Sequence, residues 1–337
     1  MKRKLTSTLA AFAHACVRTF CAGLMMTAAV AGGAEWKPTA NAVEIVIPSG
    51  AGAGLDTAGR MIKNLFDQAQ LLSTTSVVIN KPGAGGTVAY QYLNQYAGNG
   101  HYISLSSPGI VTNRLMGIGK IDYRDLTPVS RLYSDNVVVI VRADSPVRDA
   151  RDLMARLRQD PKGLSLGIAT ALGGANHIAL ASALKAGGVD VKNTLNVVYK
   201  SGANAVADLL GGHVDVVPVA APAAASQLQS GRVRAIAVSS PRRLTGALSG
   251  IPTWREQGIE ASYTAWRVVL GPQGMTAAQI GYWEGVFAKV AAMPEWKTAL
   301  ERNYWIDEYL NNRDTKVFLE QQLSAHQTIL GELGLQK

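Results

Sequence analysis

The stretch Val43–Arg60, VEIVIPSGAGAGLDTAGR, constrains this chain more than any other. Val43, Ile45 and Ile47 alternate with Glu44 and Val46 in a β-branched run, which predicts a strand. Gly50, Gly52 and Gly54 then form a loop, and Asp56 follows as an N-cap residue. Ala58, Met61, Ile62, Leu65 and Phe66 recur at helical spacing and leave Arg60, Lys63 and Asn64 for solvent. The loop brings bare N–H groups to a helix N-terminus, where the partial positive charge favours an anion. Two readings stand here: a turn that binds nothing, or half of an anion-binding cleft. No glycine falls three residues after Gly54, unlike the dinucleotide fingerprint, and no Gly-Lys-Ser/Thr follows, unlike a P-loop.

The pattern recurs. Ser76–Ile79 reads as a strand, followed by a second glycine loop over Asn80–Thr87 and a helix over Val88–Tyr96. Gly100–Ser107 is a third strand, ended by Pro108-Gly109. Val137–Val141 is a continuous apolar strand of the kind buried on both faces. Then the alternation restarts: helix Asp149–Arg158, strand Leu164–Ala169, a third glycine loop Thr170–Asn176, and helix His177–Lys185. Strands at Leu195–Tyr199, Val214–Val219 and Val233–Val238 alternate with helices at Ala203–Leu210 and Ala223–Gln229. From Thr276 onward the reading is helical, with no strand to found a third domain. The expected fold class is α/β, with two domains, each a mainly parallel sheet flanked by helices. The tail is expected to pack back on the first domain, making the middle block an insertion.

The first 34 residues differ in kind. Lys2, Arg3, Lys4 and Arg18 precede an apolar run, Phe20–Ala31, and small residues offer cleavage after Ala31 or Ala34, which reads as a secretory signal peptide. The run is shorter than the roughly 20 apolar residues that span a bilayer. Both cysteines, Cys16 and Cys21, fall inside it, so the exported chain contains no thiol for catalysis or metal binding. Loss of its four basic residues lowers the formal charge from +9 to +5. The remaining basic residues are scattered without interleaved aromatics, which argues against nucleic acid as a partner. A modest positive field draws anionic ligands.

Motif order then carries a resemblance. The loop Pro48–Asp56, Asn80-Lys81-Pro82-Gly83-Ala84-Gly85-Gly86 and Gly100-His101-Tyr102 occur in turn. They are followed by Tyr123–Val129 (YRDLTPV), His177, Tyr199-Lys200-Ser201-Gly202, Asp208–Asp215 (DLLGGHVD) and Ile251–Gly258 (IPTWREQG). In this order and spacing the chain resembles the substrate-binding proteins of tripartite tricarboxylate transporters, the Bug-type solute receptors. The resemblance covers nearly all of the chain after the signal. It implies a two-domain periplasmic flytrap: residues 35–138 with 260–337 as domain 1, and 139–259 as domain 2. These close over a small carboxylate, which is delivered to membrane permease subunits. The implied ligand contacts are Ser49, Gly52, Gly54 and Asp56 in the first loop, and Gly83, Ala84, Gly85 and Gly86 in the second. Ser107 joins them, with Ala171, Gly174 and His177 from the opposing domain. No cofactor is implied, and the expected state is a monomer.

The residues are read for other chemistry as well. His101, His177, His213 and His326 show no metal-ligand spacing. His177 either touches ligand or caps its helix, and Trp266 reads as a core or hinge aromatic. An exported enzyme would need a nucleophile–base pair or a metal cluster, and no G-x-S-x-G or H-E-x-x-H occurs. No catalytic residue is therefore assigned. A receptor that signals to a membrane kinase remains an alternative to transport. Asp56→Asn is expected to leave stability almost unchanged, because Asn caps a helix about as well as Asp.

Overall fold

The computed structural model describes residues 36–337, which form one compact unit. The signal reading, with Cys16 and Cys21, lies outside the described residues. Among those residues no helix is long and apolar enough to cross a membrane.

Strand β1 (Val43–Ile47) is followed by α1 (Gly54–Gln68), β2 (Ser76–Asn80), α2 (Thr87–Asn94), β3 (Tyr102–Ser106) and α3 (Gly109–Leu115). β1 pairs in parallel with β2 on one side and β3 on the other. The same plan is then repeated. After β4 (Thr127–Arg142) and α4 (Ala150–Gln159) come β5 (Ser165–Ala169), α5 (Ala175–Ala186), β6 (Leu195–Tyr199), α6 (Gly202–Gly211), β7 (Val216–Ala220) and α7 (Ala221–Gln229). β5 pairs in parallel with β6 and β7. Each half therefore places its first strand between its second and third. The crevice beyond the carboxyl ends of such strands is where open α/β sheets bind ligands.

β4 joins the halves. Its Thr127–Asn136 portion pairs antiparallel with β9 (Thr264–Gly271), and its Val137–Arg142 portion pairs antiparallel with β7 and β8 (Val233–Val238). Each half is thus a mixed sheet, parallel where the βα units repeat and antiparallel where the chain crosses. The tail holds α8 (Ala277–Ala292), α9 (Pro294–Arg302), β10 (Ile306–Leu310) and α10 (Asn312–Glu332). β10 corrects the all-helical reading of the tail: it pairs antiparallel with β4, matching Ile306 to Ser134 and Leu310 to Arg131. Its sequence, IDEYL, is half polar because it lies at an edge, so alternation gave little signal.

α1 lies close on β1 because Gly59 has no side chain: a Cβ there would sit 2.6 Å from Ile47 Cδ1. Ile45, Ile47, Phe66, Trp283, Phe287 and Trp296 share one buried cluster, so the tail helices α8 and α9 complete the core begun by β1. Trp283 Nε1 donates to the Gly100 carbonyl at 2.8 Å, which anchors α8 to the turn before β3.

Candidate functional site

The first loop begins where β1 ends. α1 starts at Gly54 with Ala53 as N-cap, so Asp56 occupies the third helical position, not the cap. Its carboxylate reaches back. Oδ2 accepts the Gly52 N–H at 2.8 Å and Arg60 Nε at 3.0 Å, and Oδ1 accepts Asn80 Nδ2 at 2.9 Å. Asn80 Nδ2 also donates to the Ser49 carbonyl at 3.0 Å, tying the loop to the end of β2. Burial raises the Asp56 pKa, but these donors and the Arg60 charge outweigh it and hold the carboxyl below its ordinary range. Asp56 is therefore an internal lock on the loop, and it occupies the N–H of Gly52. Among the described residues, the Ser49 hydroxyl is buried without a partner, and the first N–H groups of α1 at Gly54 and Leu55 have none either.

The second loop lies against the first. Gly83, Ala84, Gly85 and Gly86 all have positive φ, at 136°, 44°, 63° and 104°. A left-handed alanine is strained, and such strain persists only where the surroundings enforce it. Here Asn113 of α3 enforces it, its Nδ2 donating to the Ala84 carbonyl at 3.2 Å and the Gly85 carbonyl at 3.0 Å. A Cβ on Gly86 would meet the Tyr90 hydroxyl at 3.0 Å and Pro48 Cβ at 3.1 Å, and one on Gly109 would meet the Gly85 carbonyl at 2.6 Å. The loops after β1, β2 and β3 thus converge. Carbonyls turned onto Asn113 leave the N–H groups of Ala84 and Gly85 without a backbone partner.

Two residues of this neighbourhood had no sequence signal. Tyr90 is wholly buried on α2, and its hydroxyl has no partner in hydrogen-bonding geometry among the described residues. Burial pushes its pKa up to about 12, while its polar neighbours Ser106 and Ser107 and the charge of Arg267 pull the other way. Arg267 lies on β9, which was not read as a strand. It is nearly buried and sits 3.6 Å from Asp135 Oδ2, a longer approach than Asp56 receives from Arg60. A tyrosine at helical spacing reads as core, and an arginine among apolar β residues reads as an edge. Only the fold brings them together.

The third loop, after β5, repeats the first. α5 starts at Ala175 with Gly174 as N-cap, and His177 stands at the third helical position. The Gly173 N–H donates to His177 Nδ1 at 3.0 Å. Burial lowers the His177 pKa to about 4, so the ring is neutral, and because Nδ1 accepts, the proton is on Nε2. The Ala171 and Gly174 N–H groups are taken by the carbonyls of Ala169 and Ala171. The open donors of this loop are the N–H groups of Ala175 and Asn176 and the His177 Nε2–H. Thr170 is left-handed, with φ 67°.

α3 brings the two halves into one neighbourhood. Its start lies against Gly85, and just past its end Met116 lies where a Gly173 Cβ would fall, 2.0 Å from Met116 Sδ. α3, a seven-residue helix about 10 Å long, thus touches the second loop near its start and the third loop just past its end. A separate concavity of about 830 Å³ is lined by none of the twelve residues named from the sequence. No group of three His, Cys, Asp or Glu among the described residues forms a metal centre.

Residues 61–335 match the family described as Tripartite tricarboxylate transporter family receptor. The chain is 30% identical over 264 residues to a UPF0065 protein from the tcbD-tcbE intergenic region of Pseudomonas sp. (strain P51), covering 76% of each chain. Among solved structures it is similar to the periplasmic binding protein BugD, with TM-score 0.76 and 26% identity over 88% of this chain and 98% of that one. An R. palustris protein solved with adipate is similar at TM-score 0.78 and 25% identity, covering 87% of this chain and 97% of that one.

Proposed function

The chain belongs to the tripartite tricarboxylate transporter receptor family, whose members are solute-binding receptors and not enzymes, and from that premise we propose that it captures a small organic acid between its two halves and delivers it to membrane permease subunits. The observation that carries this reading is the set of open donors at the meeting of the first two loops. Ser49 and Tyr90 each bury a hydroxyl with no partner among the described residues, beside the N–H groups of Ala84 and Gly85. Buried polar groups are almost always met, and the two oxygens of a carboxylate together provide about four acceptor sites. Arg267 supplies positive charge nearby, and the third loop offers the Ala175 and Asn176 N–H groups from the other side. A short dicarboxylate, the class held by the adipate-bound relative, is the ligand proposed. A plain acid is favoured over an amino acid, because the Asp56 carboxylate, which could otherwise hold an ammonium group, is taken up by Gly52, Arg60 and Asn80.

In this reading residues 35–138 with 260–337 form one lobe and 139–259 the other. The change of β4 partners between Asn136 and Val137 supports that division. The same reading makes the protein a periplasmic monomer released from its signal after Ala31 or Ala34. Mass spectrometry of small molecules released from the purified protein tests the ligand class, followed by calorimetry with C4–C6 dicarboxylates. A dicarboxylate at about 100 times its Kd should add roughly 2.7 kcal/mol of stability. Stabilisation by sugars or cations, with no carboxylate effective, overturns the reading.

A further inference from the structure

β4 carries a charged residue to the seam between the halves. From Tyr133 to Val141 it pairs with β9 and then β7 without a bulge, so its odd-numbered residues share one face. Tyr133 packs in the cluster that holds Ile62, Leu65 and Phe66 of α1, and Val139 and Val141 in the cluster that holds Leu180 and Leu184 of α5. Asp135 lies on that face between them. Arg267 stands opposite Tyr133 on β9 and shares the face. Register gives the level along the strands. β1 and β3 end within two residues of the level of Arg267, since Val46 pairs with Ser104 and Ser106 with Val268. Leu166 of β5 pairs with Val216, and Val216 with Val141, so β5 ends level with Val138. Asp135 falls between these levels, on the floor between the first and third glycine loops.

The charged pair on this floor is not closed. The Asp135 and Arg267 side chains are 8% and 12% exposed, yet Arg267 Nη2 comes only to 3.6 Å from Asp135 Oδ2, against about 2.8 Å for a charged hydrogen bond. Asp135 Oδ1 accepts the Asn136 N–H at 2.8 Å. Arg267 Nη1 donates to the Trp266 carbonyl at 3.3 Å, its one hydrogen bond among the described residues. Two nearly buried charges held this loosely are costly, because only close contact and full hydrogen bonding offset their burial. A guanidinium takes a carboxylate through two parallel N–H···O bonds, and a ligand acid would complete Arg267 in that way. We propose that Arg267 grips one carboxylate of the ligand, and that Asp135, its resident counter-ion, gives up the guanidinium and takes a proton from solvent as the ligand enters; this rests on the receptor reading above. Burial, opposed by the Arg267 charge, already brings Asp135 to about 6, and a second negative charge beside it favours the protonated acid further. Tyr133 on β4, Tyr263 before β9 and Tyr90 on α2 all feel Arg267, but burial raises each, so these phenols stay neutral. At the two loops Asp56 stays ionised beside Arg60, and His177 stays neutral. Arg131, Glu308 and His326 gather on the other face of the sheet, at Ser134 and Trp266.

Calorimetry of the full chain with succinate, glutarate and adipate supplies the probe, the tightest binder of the three. Repeated at pH 7 in buffers of different ionisation heat, its binding should take up a large fraction of one proton, and by linkage its affinity should rise as pH falls from 7.5 toward 6. Asp135→Asn keeps an acceptor for the Asn136 N–H and removes the charge. It should bind the probe about tenfold tighter at pH 7.5, the scale of one pH unit, and take up no proton. The ligand's own ionisation is common to both proteins and cancels in that comparison. Damage to the crossing strands would weaken binding, so a gain separates counter-ion exchange from a structural role. Asp135→Asn with Arg267→Gln removes both charges together, which leaves neither one buried alone. This double variant should bind at least about tenfold more weakly than Asp135→Asn, the loss of a charged hydrogen bond. Failure of all three acids to bind overturns the receptor reading and this inference with it. Binding without proton uptake, no gain in Asp135→Asn, or a double variant that binds as tightly as Asp135→Asn overturns this inference alone.

Discussion

The loops after β1 and β5 have the same backbone and opposite electrostatics. In the first, Gly52 has φ 79° and the N-cap Ala53 has φ −75°, ψ 162°. In the second, Gly173 has φ 73° and the N-cap Gly174 has φ −73°, ψ 166°. In both, the glycine N–H donates to the side chain four residues on, at the third helical position. The acceptor is a carboxylate in one half and a neutral imidazole in the other. Asp56 brings a charge and needs Arg60 and Asn80 to hold it. His177 brings none and leaves the positive end of α5 uncompensated. One geometric solution to closing a glycine loop on a helix thus appears twice: charge-compensated in the first half and with an uncompensated helix end in the second.

The largest effect expected from breaking this comparison is on Asp56. Asp56→Ala leaves the Gly52 N–H and Asn80 unmet and frees Arg60. Chemical denaturation should report a loss of about 3 kcal/mol, the scale of a charged, multiply bonded group. Asp56→Asn is predicted to cost about 1–3 kcal/mol, against the expectation from capping alone. Its single oxygen cannot accept from all three donors, and its NH2 opposes one of them. An unchanged midpoint for Asp56→Asn would restore the capping account.

Acid separates the two loops next. The folded His177 pKa is lowered to about 4 from an unfolded value of about 6.5. The stability it contributes is present above about pH 6.5 and is lost as pH falls toward 4, in total on the order of 3 kcal/mol. Asp56, held below the ordinary carboxylate range, contributes stability that is lost only below about pH 4. Asp135 works against His177: burial, opposed by Arg267, raises it to about 6. Its folded form binds the proton more readily, so it gains stability as pH falls from 6 to 4. Urea melts across pH 4–7 should show His177→Gln flattening the acid loss, and Asp135→Asn steepening it.

Charge transfer between the loops comes third. His177→Asp keeps an acceptor for the Gly173 N–H and imports the charge of the first loop without its Arg60. Dicarboxylate affinity should fall about tenfold or more, roughly 1.4 kcal/mol, as read by calorimetry. If affinity holds, the third loop is not facing the anion. The smallest effect is expected at Tyr90→Phe, which removes one open donor. Affinity should drop by about 0.5–1.5 kcal/mol, while the melting temperature holds or rises because a buried unpartnered hydroxyl is lost.

Glycine placed between a β-branched run and a helical period marks these loops in the sequence, but both helices start earlier than their side chains signal. Asp56 and His177 read as cap and helix start. α1 begins at Gly54, three residues before the start that a cap at Asp56 implies, and α5 at Ala175, two before His177, since a glycine and an alanine carry no side-chain signal for the first turn. The strands that hold the halves together were half visible. Val137–Val141 was legible as an apolar run, while Thr127–Asn136, the other part of the same strand, contains Pro128, Ser130, Ser134, Asp135 and Asn136 and reads as loop. Its pairing with β9 and β10 comes from residues more than a hundred positions away, which no local window contains. α3 leaves little signal for a different reason: it opens on a glycine behind Pro108 and spans only seven residues.

By itself the amino-acid sequence determined the repeated βα plan, the order of the motifs and the places where backbone N–H groups would be bare. Those depend on periodicity and on the freedom of glycine, which act within a few residues. The tertiary structure alone decided which N–H groups stay bare. Gly52, Ala171 and Gly174 spend theirs inside their own loops, whereas Ala84 and Gly85 keep theirs because Asn113, reaching from α3, turns their carbonyls away. It also decided that the Tyr90 hydroxyl lies beside Gly86 and feels the charge of Arg267. Burial and charge at a site are sums over distant neighbours, and only a folded chain has those.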